Sequence, residues 1–199
     1  MIAKPQGYDE APAYTGETMQ LPAGLYVCEI KQVSEIEENN KKKVAVLFDI
    51  AEGEEKGFYQ KQYEQAKRQD AHAKWKGVHK QTKEGSALSF FKGMMTSIER
   101  SNPGFQFPWG QQDNEKTLVG KKFGAVMGRE QFLTSDGTKA FWTHIFQIRS
   151  VEGLKDAKIP EDKLLEENAA PAESPKYGPE GGDGFMNIPD GIDEELPFM

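Results

Sequence analysis

Two runs of alternating apolar and polar residues, separated by a short polar turn, constrain this chain more than any other feature it carries. Leu25 to Ile36 reads LYVCEIKQVSEI, with Tyr26, Cys28 and Ile30 on one parity, and VAVLFDI puts Val44, Val46, Phe48 and Ile50 on one parity. A period of two is that of a strand with one buried face, and the intervening EENNKKK suits a turn, so the pair predicts a β-hairpin. The acidic turn EGEEKG then leads to FYQKQY, where Phe58 and Tyr59 open a shorter third strand.

Residues 64–84 are very polar, with good helix formers as far as Lys76, and read as a short helix followed by a basic loop. Ser86 can cap ALSFFKGMMTSIER, where Leu88, Phe91, Met95 and Ile98 recur at three- and four-residue spacing and SNPG stops the helix. An aromatic loop, FQFPWG, follows. Lys121 to Arg129 (KKFGAVMGR) alternates and carries glycines that suit a bent or bulged strand, and SDGT turns it into KAFWTHIFQIRSV, a second hairpin. The string is therefore mainly β with one principal helix, β-β-β-α-β-β. That is the connectivity of the OB-fold, a five-stranded Greek-key barrel used for oligonucleotide binding, although small barrels of other topology or an α+β sandwich share it. Residues 1–20, with Pro5, Gly7, Pro12 and Gly16, read as an extended arm, 21–160 as the body and 161–199 as a flexible acidic tail.

A chain of 199 residues can bury a core of its own, and a mean hydropathy of −0.71 leaves part of it unpacked. The longest apolar runs fall far short of the roughly 20 residues of a membrane span, and MIAKPQGYDE has no apolar signal core. Cys28 is the only cysteine, which excludes a disulfide framework. A cytoplasmic protein is expected. The net charge of −7 argues at first against a polyanion partner, but it is segregated: residues 1–55 carry −6, residues 56–149 carry +8 and residues 150–199 carry −9. A basic body between acidic ends is the distribution of a polyanion binder with an acidic appendage.

Holding a single strand without reading its sequence takes cations that follow phosphates and flat rings on which bases stack. The basic middle supplies both. Lys61, Lys67, Arg68, Lys74, Lys76 and Lys80 surround Tyr59, Tyr63 and Trp75, while Lys121, Lys122, Arg129, Lys139 and Arg149 accompany Phe123 and Phe141. In the last strand one parity carries Ala140, Trp142, His144, Phe146 and Ile148, and the other mixes basic, polar and aromatic groups, so Phe141 is expected to stack on bases and Trp142 to fill the core. Trp75 and Trp109 stand in polar or loop contexts, and each serves either packing or stacking. Catalytic signals are weak. His72, His79 and His144 lack partners at metal-ligand spacing, GKKFG is not a phosphate-cradling loop, and no nucleophile with its base can be read from residue order, so neither an enzyme nor a cofactor or metal is expected.

Between Glu166 and Met199 nine acidic residues face one basic residue, and the apolar character returns only at the end, in GIDEELPFM. An acidic string closed by Leu196, Pro197 and Phe198 suits docking into a basic-rimmed apolar pocket of a partner. DEELPFM resembles the acidic tip of bacterial and phage single-stranded DNA-binding proteins, except that Met199 follows the phenylalanine on which that tip ends. ALSFFKGMMTSIERSNPGFQF and LVGKKFGAVMGREQFLTSDGT together resemble a family of phage-encoded proteins predicted to bind single-stranded DNA. The resemblance implies an OB-fold body that coats and protects single strands in replication, recombination and repair. It also implies a tip, Asp193, Glu194, Glu195, Leu196, Pro197 and Phe198, that recruits replication and recombination enzymes, with homo-oligomers as a further option. A strand-annealing or recombination-mediator protein, and a protein adaptor without nucleic-acid affinity, are the other classes open.

Overall fold

In the computed structural model, which describes residues 3–6, 8, 19–134 and 137–165, the first alternating pair forms β1 (Gly24–Glu38) and β2 (Lys41–Ile50). Asn39 and Asn40 join them with φ of 54° and 56°, the left-handed backbone that asparagine tolerates and that matches strand twist in a two-residue hairpin. The antiparallel register runs from Glu38–Lys41 to Cys28–Ile50 and is interrupted between Ile30 and Gln32. Because of that irregularity, Ile30 and Val33 share one face although they are three residues apart: Ile30 stands opposite Phe48 and Val33 opposite Val46.

The chain then departs from the expected third strand. Phe58–Gln69 is a helix, α1, and the cause lies in Asp49 at the end of β2. Asp49 is buried, and its carboxylate accepts hydrogen bonds from the backbone N–H groups of Tyr59 (2.9 Å), Gln60 (3.2 Å) and Ile50 (2.8 Å). It thus satisfies two of the orphan donors of the first helical turn from outside the helix. Burial pushes the Asp49 carboxyl up, against the backbone donors and Lys31, which pull it down. The third strand, β3, is Val78–Thr82, inside the segment read as a basic loop.

Helix α2 covers Leu88–Ser101 and buries Met94, Met95 and Ile98. Ser86 does not cap it: it lies in a 3-10 turn over Gly85–Ala87 that precedes the helix, with no side-chain capping bond. Leu88, expected on the buried face, is exposed at this overhanging end. Asn102 fixes the other end, donating to the carbonyls of Ile98 and Lys122 (both 2.8 Å) and accepting from the Lys122 N–H (3.0 Å). That side chain sets the start of β4 (Lys122–Leu133), which pairs with β5 (Lys139–Arg149). The five strands form one open antiparallel sheet in the order β3-β2-β1-β4-β5. The fold is thus mainly β with one principal helix between β3 and β4, as expected, plus α1 between β2 and β3.

One core joins the elements. Cys28, Ile30, Phe48, Phe123 and Met127 from the sheet meet Met94, Met95 and Ile98 of α2, Phe58 and Tyr59 of α1, and Trp75. Each such side chain contributes about 1.5–3 kcal/mol on burial. After β5, residues 151–165 cross back over β4. Leu154 lies where a Cβ on Gly124 would stand, at 2.7 Å, and Pro160 does the same at Gly128, at 2.6 Å, so both glycines are required by close approach. The strap ends on a parallel bridge between Lys163 and Glu130, with Lys163 N–H donating to Arg129 O (2.9 Å) and Gln131 N–H to Lys163 O (2.8 Å).

Candidate nucleic-acid interface

Three of the aromatic residues expected to stack on bases are core residues instead. Tyr59 packs edge-on against Phe48 and Phe58, Phe123 packs edge-on against Phe48, and Trp75 is 2% exposed with its indole N–H donating to the Phe48 carbonyl at 3.1 Å. Their faces are closed to a base. The polar sequence neighbours of Trp75 left packing and stacking both open, and Gly77 lets it into the core: a Cβ there would stand 2.3 Å from the Phe48 carbonyl and 2.7 Å from the Tyr59 ring.

The remaining residues fall into groups. The first joins α1 to β5 through residues 19–21: the Gln62 side chain donates to the Met19 carbonyl (2.9 Å), the Gln20 side chain to the Phe141 carbonyl and the Thr143 hydroxyl to the Leu21 carbonyl. On the α1 side Lys61, Lys67 and Arg68 are exposed, and the Lys67 ammonium lies 5.3 Å from the centre of the half-buried Tyr63 ring. On the β5 side Lys139 is exposed and the Arg129 guanidinium lies 5.1 Å from the Phe141 ring. Lys76 is exposed and Lys74 half-buried in the link to β3, while Arg149 at the far end of β5 donates to Gln147 (2.9 Å). Arg129 also holds a fork of hydrogen bonds to Asp162 of the returning strap, which raises its pKa further. An acidic side chain thus already occupies the cation nearest Phe141.

The second group lies where the loop after α2 folds back against the first turns of that helix. Trp109 is 61% exposed, propped edge-on by Phe107 (centroids 4.5 Å) and Phe91 (6.2 Å), and Phe90, the neighbour of Phe91 in sequence, is 71% exposed. Lys121 sits 4.6 Å from the centre of the Phe105 ring in the same loop, and Lys122 pairs with Glu52 at 2.7 Å. The FF doublet was the available signal for Phe90, since two adjacent helical positions cannot both face one core.

The third group lies where the two ends of the sheet converge. β3 and β5 are at opposite ends of the strand order and share no ladder, yet Val78, His79 and Lys80 line one cavity of about 230 Å³ with Trp142, His144, Ile145 and Lys43. Lys43 and Lys80 both bind the Glu38 carboxylate, Lys80 at 2.8 Å. Lys80 was among the expected cations, but Lys43 was missed because the ladder that brings the two together is not local. The faces of β5 also differ from expectation. The register shifts between Val126 and Met127, so Ile145 and Ile148 turn to the core, while Trp142, His144 and Phe146 stack on one another at 4.0 and 4.6 Å. Trp142 is half-buried in that stack and Phe146 is 42% exposed. Burial pushes His144 down, against Glu130 at 3.7 Å, and drives His79 down to about 4, against a hydrogen bond with Gln81.

The tip residues Asp193 to Phe198, and most of the 1–20 arm, lie outside the described residues. Among the described residues no helix is long and apolar enough to cross a membrane. Comparison with known proteins gives no matching family model and no match among curated proteins.

Proposed function

We propose that this chain binds single-stranded DNA without sequence preference and coats it in the cytoplasm of a bacterial host during phage replication or recombination. The observation that carries the reading is the coincidence of rings and cations around the five-stranded sheet: Arg129 against Phe141 on β4 and β5, Lys67 against Tyr63 on α1, and, between α2 and β4, Lys121 against Phe105 with Trp109 open to solvent. A base stacks on an open ring face for about 1–3 kcal/mol, and each neighbouring cation that meets a phosphate releases a counterion. The strand order, with both outer strands lining one cavity, is what an OB-like barrel open along one seam requires, and supports the same reading. The acidic tip then serves as the recruiting element for replication and recombination enzymes.

The test is a fluorescence-anisotropy titration of the full chain with labelled oligo-dT, a duplex of equal length and an RNA, each at two salt concentrations. Binding of oligo-dT that weakens as salt rises, and exceeds duplex binding, is the expected result. Absence of binding to every oligonucleotide in dilute buffer would overturn it.

A further inference from the structure

We propose that the seam between β3 and β5 is an anion site that takes a phosphate group. The cross-strand register places Lys43 and Lys80 on one sheet face with Ser34 and Ile36, since Lys80 and Ser34 both stand opposite Ala45, and Lys43 stands opposite Ile36. The two ammonium side chains are only 13% and 11% exposed, and both depend on one carboxylate, Glu38, which is itself largely covered. Two positive charges and one negative leave a surplus of one cation in a region with little water to solvate it. Such a surplus is costly unless an anion completes the set.

Polar atoms with nothing to bind lie close by. The Ser34 hydroxyl, on the face of the two lysines, is buried without a hydrogen-bond partner, and so are Nε2 of His79, the β3 neighbour of Lys80, and Nδ1 of His144 on the β5 side of the cavity. The second charged cluster of the seam does not neutralise the first: Glu130 is paired with Lys163 at 2.6 Å and sits 3.7 Å from His144 Nε2. The cavity lined by Lys43, Lys80, His79 and His144, at about 230 Å³, is below the usual range for drug-sized ligands and suits a compact oxyanion. The ligand chemistry is a tetrahedral phosphate, which comes either from a phosphodiester of a bound strand or from a free phosphate compound. The site does not depend on the nucleic-acid reading.

The experiment titrates the full chain with inorganic phosphate at constant ionic strength, balanced with sodium chloride, and follows the imidazole resonances of His79 and His144 by NMR. Saturable shifts of both rings are expected, with Lys80→Gln weakening the apparent affinity at least tenfold and Lys80→Arg retaining most of it. Thermal melting of each variant separates loss of the site from loss of the fold, and the wild-type titration needs no variant. Imidazole resonances that stay put, or drift without saturating as they do in chloride alone, would overturn the proposal. A parallel titration with oligo-dT lacking terminal phosphates identifies the source: saturation of the same two rings assigns the site to the strand backbone. Oligo-dT binding that leaves them unmoved, beside a positive phosphate arm, assigns it to a free phosphate compound.

Discussion

Trp75 stands in a polar stretch and Trp109 in an aromatic loop, and the fold uses the same side chain in opposite ways at the two positions. Trp75 fills the core and donates to Phe48, so Trp75→Ala should cost about 3–5 kcal/mol of stability. Trp109 rests on Phe107 and Phe91 with most of its surface in solvent, so Trp109→Ala should leave the urea midpoint nearly unchanged while weakening oligo-dT binding by about 1–3 kcal/mol. Unaltered oligo-dT affinity in that variant would remove Trp109 from the interface. His79 gives a second residue-level prediction. Its folded pKa of about 4 lies below the ordinary 6.5, so between those values the unfolded chain holds a proton that the native state lacks. Stability should rise with pH across pH 4 to 6.5 and be lost as pH falls through that window, with a slope of up to about 1.4 kcal/mol per pH unit from this group. Lys43, Lys80 and Glu38 form an ion-paired cluster nearby, and His144, also shifted down by burial, adds in the same direction. His79→Gln should therefore flatten the profile in part, as read from urea midpoints at pH 4.5, 5.5 and 7.

At the level of elements, both hairpins were legible because a period of two needs nothing beyond neighbouring residues. The segment Phe58–Tyr63 was not. Its aromatic start reads as strand by propensity, and the group that makes it helical is a carboxylate on β2, nine residues before Phe58 and brought to it only by the turn through Gly57. Asp49→Ala leaves those N–H groups unpaired in a buried place and should cost about 1–3 kcal/mol, with loss of helical circular dichroism from α1. Asp49→Asn, which keeps one acceptor oxygen, should cost less. The faces of β5 were misassigned for a related reason: a register shift at Val126 and Met127 belongs to the pairing of two strands and leaves no mark in either alone. The returning strap carries a prediction of its own. Asp162 occupies the fork of Arg129 beside Phe141, so a strand phosphate must displace it, and Asp162→Asn should raise oligo-dT affinity several-fold at low salt. Equal affinity in the anisotropy titration would place Arg129 outside the interface.

For the whole molecule, the segregation of charge is the property that residues and elements do not reveal singly. The basic body carries +8 over residues 56–149 and is tethered to a C-terminal stretch of −9, so any attraction between them is intramolecular and operates at high effective concentration. The Arg129–Asp162 pair is the described beginning of that stretch meeting the body. If the acidic residues further along compete with DNA for the same cations, their effect must be electrostatic and must fade as the Debye length shrinks. Removing residues 190–199 should leave oligo-dT affinity equal or higher, with the difference largest in dilute buffer and vanishing near molar salt, while partner binding is abolished. For an interface neutralising four to six phosphates, the slope of log K against log salt should be about −3 to −4. A truncated chain that binds oligo-dT more weakly than the full one would mean that the tip supports the strand rather than competing with it, and the tail would then belong to the binding site.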